Sequence, residues 1–380
     1  MIQTQTHQNF GLKKLNGIKP KGIKVKKASL TEKILQASDF FIDKFKDEKF
    51  DWRSRDDQLD VIYDSCLDQV RSVINTPNFD QKHIIDFIHA TSNNDFDKVS
   101  NELNGLFSGV LLQVLTEHYH KENAKASFCF DGDNIKFDCL FYRCRCVDEL
   151  LIENFQGDFV GNKIGSSGGK VNILVGKNIK GYQSLAGAGR KGNAGLVFGE
   201  DLTGGICLNG CGFIGNVDIV VGYKIRGDGV MQAIGSGKDD VKGRTDLVIA
   251  HDIDCKSDLF VYSAEAGLIN NIFVGKISDC YASVETREDY YKMGSLGYVR
   301  PKPKAVGTIY CEKKDASFLT YLSARQYFSR GGYREKEYYD FVKSRNINNS
   351  LDLLESKPST SEDLLNKARK IKQLYENATN

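Results

Sequence analysis

GLVFGEDLTGGICLNG occupies Gly195–Gly210 and sets five glycines around the apolar triplet Leu196-Val197-Phe198. Each glycine inside a helix costs roughly 1 kcal/mol against alanine, so the stretch does not read as a helix. A flexible loop would have no use for the triplet. The stretch recurs as GKVNILVGKNIKG from Gly169, GNAGLVFGEDLTG from Gly192 and GNVDIVVGYKIRG from Gly215, a spacing of 23 residues. A further copy, GRTDLVIAHDIDC, starts at Gly243 after the insertion GKDDVK (Gly237 to Lys242), and weaker copies start at Asp148 and Asn270. A fixed period in this range is the signature of a solenoid, whose units bury their apolar faces only by stacking.

Three columns run through the copies. The first triplet position holds Leu150, Ile173, Leu196, Ile219, Leu247 and Ile272, and the third holds Ile152, Val175, Phe198, Val221, Ile249 and Val274. A later position holds Phe155, Ile179, Leu202, Ile225, Ile253 and Ile277. Alternate strand positions share a face, so the first and third columns are expected inside a parallel β-helix, with glycines such as Gly176, Gly199, Gly222 and Gly275 at a corner. The middle column is then expected to point outward. It holds Leu151, Leu174, Val197, Val220, Val248 and Phe273, all apolar. A strand that is apolar on both faces is covered on both, so this stripe implies a cover from the chain's own helices or from a partner.

The rest of the chain divides around the repeats. Residues 1–28 read as a basic extended arm, with seven lysines between Gly11 and Ala28 (Lys13, Lys14, Lys19, Lys21, Lys24, Lys26 and Lys27). Residues 29–122 read as a helical bundle, opened by a capping box at Ser29–Glu32. Leu59, Ile62, Tyr63, Cys66, Val70 and Val73 form one of its helical stripes. Residues 123–314 hold a strand cap, a hairpin or first coil formed by ASFCF and IKFDCLFYRCRC, and the β-helix of about six coils. Residues 315–380 read as a C-terminal helical region that includes ASFLTYLSARQYFS. The fold class is thus α+β and multidomain: a central parallel β-helix between helical flanks.

Net charge is +2 over 380 residues, which favours no acidic or basic partner class. No apolar run reaches the length of a membrane span, and the first residues lack a signal-peptide core, so a cytoplasmic location without a membrane partner is expected. The ten cysteines then read as thiols or ligands and not as disulfides. Cys129, Cys139, Cys144 and Cys146 are the metal candidates, though their spacing is not that of paired zinc ligands and core packing is the simpler use. The histidines of EHYH (Glu117 to His120) splay apart on a helix. The G-x-G matches at Gly187, Gly210 and Gly235 recur once per coil and lack the strand-to-helix setting of a nucleotide loop. Neither a catalytic residue nor a cofactor is assigned.

VFGEDLTGGI and VVGYKIRGDGV resemble the G-xx-G-xxx-G repeats of the β-helical C-terminal domain of the glutamate synthase large subunit, a domain that also occurs within formylmethanofuran dehydrogenase. The resemblance covers about residues 148–294. It implies a β-helix that serves as a scaffold, and it carries over no catalytic residue. The expected function is a non-enzymatic scaffold or interaction protein in a larger assembly. The alternative is an RNA-binding or ribosome-associated factor whose arm lysines meet phosphates. A third reading is a solenoid enzyme with its site on the GKDDVK insertion.

Overall fold

The computed structural model describes residues 28–48, 55–74, 78–94, 96–238, 241–259, 263, 267–278, 281–282, 306–311, 324–330 and 334–379. Four helices come first: α1 (Leu30–Phe45), α2 (Arg55–Val73), α3 (Gln81–Thr91) and α4 (Lys98–Lys121). Strands β1 (Ser127–Asp131), β2 (Cys146–Gln156), β3 (Lys170–Lys180), β4 (Asn193–Glu200), β5 (Asn216–Val230), β6 (Arg244–Leu259) and β7 (Leu268–Val274) then stack in chain order. All pair in parallel, giving a β-solenoid of about six turns. Short strands β8 (Ile277–Ser278) and β9 (Tyr281–Ala282) pair with β6, and β10 (Val306–Cys311) and β11 (Ala324–Ser329) continue the ladder beyond β7. Helices α5 (Glu335–Ser344), α6 (Ile347–Glu355) and α7 (Ser361–Thr379) complete the chain described.

Two parts of the sequence reading change here. Of the two alternatives for Ser127 to Cys146, the first coil is the one adopted, because β1 runs parallel to β2; what changes is that Phe137–Arg143 turns where a second strand was expected. Ala324–Ser329 is a strand and not part of a helix: the open parallel edge of β10 offers it a ladder, and Tyr327 and Phe328 suit a strand.

Each coil has three walls. In the third coil of the ladder the first wall is the run Ile173–Lys177, and the second is Ile179–Lys180 beyond a corner at Asn178, where φ is 49°. The third wall is the turn region from Gln183 to Lys191, where alternate residues stand in the left-handed region: φ is 55° at Gln183, 54° at Leu185, 67° at Gly187, 68° at Gly189 and 54° at Lys191. The same alternation occurs one coil earlier, at Phe159, Gly161, Lys163, Gly165 and Ser167. It turns successive amides to opposite neighbours. Phe159 N donates to Tyr182 O on the next coil (2.7 Å), Gly161 N to Leu140 O on the preceding one (2.9 Å), and Lys163 N to Ala186 O on the next again (2.7 Å). The third wall is therefore hydrogen-bonded coil to coil without being β-strand.

The left-handed corner also decides which columns face in. It shifts the alternation by one residue, so Leu174 and Ile179 share the interior although an odd number of positions separates them. The middle of each first wall points inward: Leu150, Leu174, Val197, Val220, Val248 and Ile272 belong to the solenoid core with Ile179, Leu202 and Ile225. Ile173, Val175, Leu196, Phe198, Ile219, Val221, Leu247 and Ile249 point out, as do Leu151 and Phe273. In β3–β6 the expected inside and outside of the first wall are thereby exchanged, whereas in β2 and β7 Leu150, Ile152, Ile272 and Val274 face in and Leu151 and Phe273 face out, as expected. Leu151 and Phe273 leave the stripe altogether, because the steps from β2 to β3 and from β6 to β7 are 24 residues long (Leu151 pairs with Val175, Ile249 with Phe273). Gly176 is not a corner. It sits within β3 facing the interior, where a Cβ would stand 2.7 Å from the Leu185 Cδ1 atom reaching across from the third wall.

Both apolar faces are covered from within. The outward columns form a second core with Tyr338, Phe341 and Val342 of α5, Ile347 and Leu354 of α6, and Leu364, Leu365, Ala368 and Ile371 of α7. The bundle closes the solenoid at β1. Every residue of α4 from Glu102 to Thr116 is buried, and α4 lies so close to the first coil that a Cβ on Gly105 would stand 2.2 Å from Cys139 O. Ser108 fixes the contact: Phe141 N donates to its hydroxyl at 2.8 Å, and the hydroxyl donates to Gly105 O at 2.6 Å. The core of α1–α4 runs into the solenoid interior without a break. Among the described residues no helix is long and apolar enough to cross a membrane.

Two neighbouring substitutions separate the faces. Val220→Asp places an unpaired carboxylate in the interior and should cost about 3–5 kcal/mol, unfolding or aggregating the isolated chain. Val221→Asp should instead strip hydrogen-exchange protection from α7 first, leaving β3–β5 protected. The opposite pattern would mean that the first wall faces the other way.

Candidate functional site

The chain's strongest charge interactions lie where its helices meet the solenoid. On the outward side, Lys367 of α7 is 4% exposed and donates to Glu200 Oε2 (2.7 Å), Leu354 O (2.9 Å) and Ser356 O (3.2 Å). All three of its protons are used. Its ammonium also stands 5.6 Å from the Phe198 ring centre and 5.5 Å from that of Tyr223. Burial pulls the Lys367 amine down, and Glu200 opposes that shift. On the same helix, Arg369 makes a two-pronged contact with Glu149, which is 1% exposed, at 2.6 and 3.2 Å. Ser127 and Lys125 meet the same carboxylate. Burial pushes Glu149 up, but Arg369, Lys125 and Ser127 together hold it below its ordinary value.

On the opposite side, the first turns of α2 bring an acidic face against the third wall. Asp56 accepts from Arg143 (3.1 Å), Lys163 (2.6 Å) and Arg190 (2.7 and 3.1 Å), side chains that come from three successive coils. Asp60 accepts from Arg143 (2.6 Å) and from the Ser167 hydroxyl (2.8 Å), and Asp64 accepts from Arg145 (2.6 Å). Burial raises the Asp56 carboxyl, yet Lys163, Arg190 and Arg143 outweigh it and hold the group far below the usual carboxylate range. Burial draws the Lys163 amine down to about 8, against the pull of Asp56. The spacing Asp56, Asp60, Asp64 is one face of a helix, a signal present in the sequence whose basic partners only the coil register brings together.

Two of the clefts open to solvent are polar and sizeable. The larger, about 700 Å³, lies between the end of α7 and the starts of β4–β6. Tyr375 donates to Asp246 there (2.9 Å), with Arg345 at 3.9 Å from the same carboxylate. Desolvation raises the neighbouring Asp218 carboxyl, with Asp246 and Glu376 adding to the effect against Lys372. The smaller, about 440 Å³, follows the corner row at Asn154, Asn178, Asp201 and Lys224.

The sequence candidates are scattered by comparison. Cys139 and Cys144 are buried beside α4, Cys146 begins β2, and Cys129 stands on β1 opposite Leu151. They do not converge, and among the described residues no group of three His, Cys, Asp or Glu side chains could hold a metal ion. Burial pushes the Cys129 thiol up to about 11 and those of Cys207 and Cys211 to about 12, as for core residues. Cys207 pairs with Val230 across adjacent coils. His120 meets Asp148 at 3.0 Å, away from His118. In the insertion, Lys238 and Val241 exchange backbone hydrogen bonds of 3.0 Å, while residues 239–240 lie outside the described residues. The arm lysines Lys13, Lys14, Lys19, Lys21, Lys24, Lys26 and Lys27 lie outside them as well.

Comparison with family models, with curated proteins and with solved structures finds no match.

Both charge clamps are sensitive to acid and to the loss of one partner. The contributions of Asp56 and Glu149 are complete above their unfolded-state values of 3.8 and 4.5 and are lost as pH falls below them. Stability should therefore drop from about pH 4.5 downward, and Asp56→Asn should flatten that slope in acid denaturation curves while lowering stability at pH 7. Lys367→Met alone strands a buried carboxylate and should cost about 3–5 kcal/mol in denaturant titrations, whereas Glu200→Leu with Lys367→Met should restore most of that.

Proposed function

We propose that the chain is a non-enzymatic scaffold, a rigid body on which other components of an assembly dock. The observation that carries this reading is the use to which the buried and half-buried charges are put. Glu200, Glu149 and Asp56 are committed to Lys367, Arg369 and the Arg143–Lys163–Arg190 set, and each of these contacts fastens a helical flank to the solenoid. Groups that an enzyme would keep poised for substrate serve here to remove internal freedom. A continuous core from α1 to β7 and a second core from β2 to α7 support the same reading, since a scaffold must hold its docking surfaces at fixed separation. The resemblance of the glycine repeats to a β-helical domain that acts as a scaffold agrees with it.

The alternative, an RNA-binding or ribosome-associated factor acting through the arm lysines, keeps its chemical basis in the clustered charge of residues 11–27. Purification of the tagged full-length chain from its host, with and without nuclease, separates the two. A scaffold should elute with the same protein partners at fixed stoichiometry after nuclease treatment. Partners lost together with RNA would favour the alternative, and a chain that elutes alone under both conditions would remove the scaffold reading.

A further inference from the structure

The smaller cleft is built by the corner that every coil repeats. Asn154, Asn178, Asp201, Lys224 and Asp252 stand there in the left-handed region, with φ of 58°, 49°, 53°, 54° and 55°. The first four line the groove together with Lys177, Thr203 and Arg226. Neighbouring coils are about 4.8 Å apart, so Lys177 and Lys224, two coils from each other, sit about 10 Å apart along the axis. The amides are aligned: Asn178 Nδ2 donates to Asn154 Oδ1 at 2.7 Å.

The acids around the groove are mostly committed. Glu153 and Glu200 stand in register on either side of Lys177, but Ser361 engages the first and Lys367 the second. Asp252 and Asp254 lie 2.9 and 3.9 Å from Arg226, and Asp158 accepts from Tyr182 N. Asp131 accepts from Asn154 Nδ2 at 2.9 Å at one end of the row, and Asp201 stands inside the groove. On the cationic side, Lys177 and the exposed Lys180 enter no ion pair among the described residues, and Lys224 is poised 5.0 Å above the Tyr223 ring.

An aromatic ring flanks this row. Tyr182 is 40% exposed, set edge-on against Phe159 at 5.7 Å and 81°. It lies along Gly205, where a Cβ would come within 2.9 Å of its ring, and Gly205 follows Thr203 of the groove by two residues. The glycine thus makes room for a ring whose position is fixed but whose surface remains open.

We propose that this groove binds a single-stranded nucleic acid. Lys177, Lys180 and Lys224 meet phosphates, Tyr182 stacks on a base, and Asn178 and Asp201 face base edges, with Asn154 holding the Asn178 amide in place. Cations in a groove beside an exposed aromatic ring are what a single strand requires. An amide and a carboxylate match the mixed donors and acceptors of unpaired bases. An acidic peptide would leave the exposed Tyr182 ring unused. The proposal does not depend on the scaffold reading, because a scaffold without nucleic acid and a scaffold with it differ only at this groove.

Fluorescence anisotropy with labelled oligouridylate and oligothymidylate tests it on the full chain. Variants are Tyr182→Ala, Lys177→Gln with Lys180→Gln, and a chain with the seven arm lysines changed to Gln. Wild type should bind at low salt, and the arm variant should keep binding that still responds to the groove. Tyr182→Ala should weaken binding roughly tenfold. The paired lysine variant should lower the salt dependence by about one unit of slope per lysine, with an unchanged melting temperature. Equal affinity for the two oligomers or a preference for either supports the shared chemistry, and the preference tells RNA from DNA. The proposal is overturned if neither oligomer binds, if the groove variants bind as wild type does, or if polyglutamate competes as well as unlabelled oligomer.

Discussion

Hydrogen bonding between coils through a wall of alternately left-handed residues is the constraint on which the molecule depends. Non-glycine residues such as Phe159, Lys163, Gln183 and Leu185 accept a backbone conformation that costs each of them roughly 1–2 kcal/mol. In return, alternate amides of the third wall reach the coil above and the coil below in turn. With the third wall closed in this way, each coil can remain short and its interior narrow. Gly176 and its counterparts Gly199 and Gly222 follow from that narrowness, since a side chain from the opposite wall already fills their space.

The left-handed corner has an equally wide effect. By shifting the alternation of side chains, it turns Ile173, Val175 and their equivalents outward and so creates an apolar surface along the first wall. Helices α5–α7 are the answer to that surface, and the buried pairs Glu200–Lys367 and Glu149–Arg369 select where along it they sit. Burying such charges yields little net stability, but leaving either partner alone is costly, so the pairs discriminate strongly against any displaced arrangement. The acidic face of α2 does the same on the other side, reading three coils at once through Asp56.

Much of this was legible in the sequence, and the limits have physical causes. The period and the column Phe155, Ile179, Leu202, Ile225 revealed the solenoid, because a stacked core demands the same residue class at the same place in every coil. The facing of the first wall was not legible: with Ile173, Leu174 and Val175 all apolar, alternation carries no information, and only the conformation of Asn178 resolves it. The one-residue offsets at Leu151 and Phe273 escaped for the same reason. Cys129, Cys139, Cys144 and Cys146 illustrate how nearness in sequence is undone when a coil turns between them. The clamp residues are visible singly, as acids spaced along α2 or a lysine within α7, yet a long-range partner such as Arg369 for Glu149, 220 positions away, leaves no local trace. The corner groove is of this kind too, since its lysines and Tyr182 are neighbours only through the stacking.

The cover supplied by α7 also sets a problem of timing. Its contacts with the strands span 208 residues from Ser361 to Glu153 and 242 from Arg369 to Ser127. A chain acquires such contacts late, because closing long loops must precede the stabilisation they bring. Until then the solenoid carries two rows of large aliphatic and aromatic side chains along a ladder of strands, open to water and to one another. A chain with its coils formed and α7 undocked would be a body with a finished core and an unfinished skin, the kind of species that associates with its own copies. In that state the exposed first wall, and not the interior of the coils, is the surface that docking of α7 has to protect.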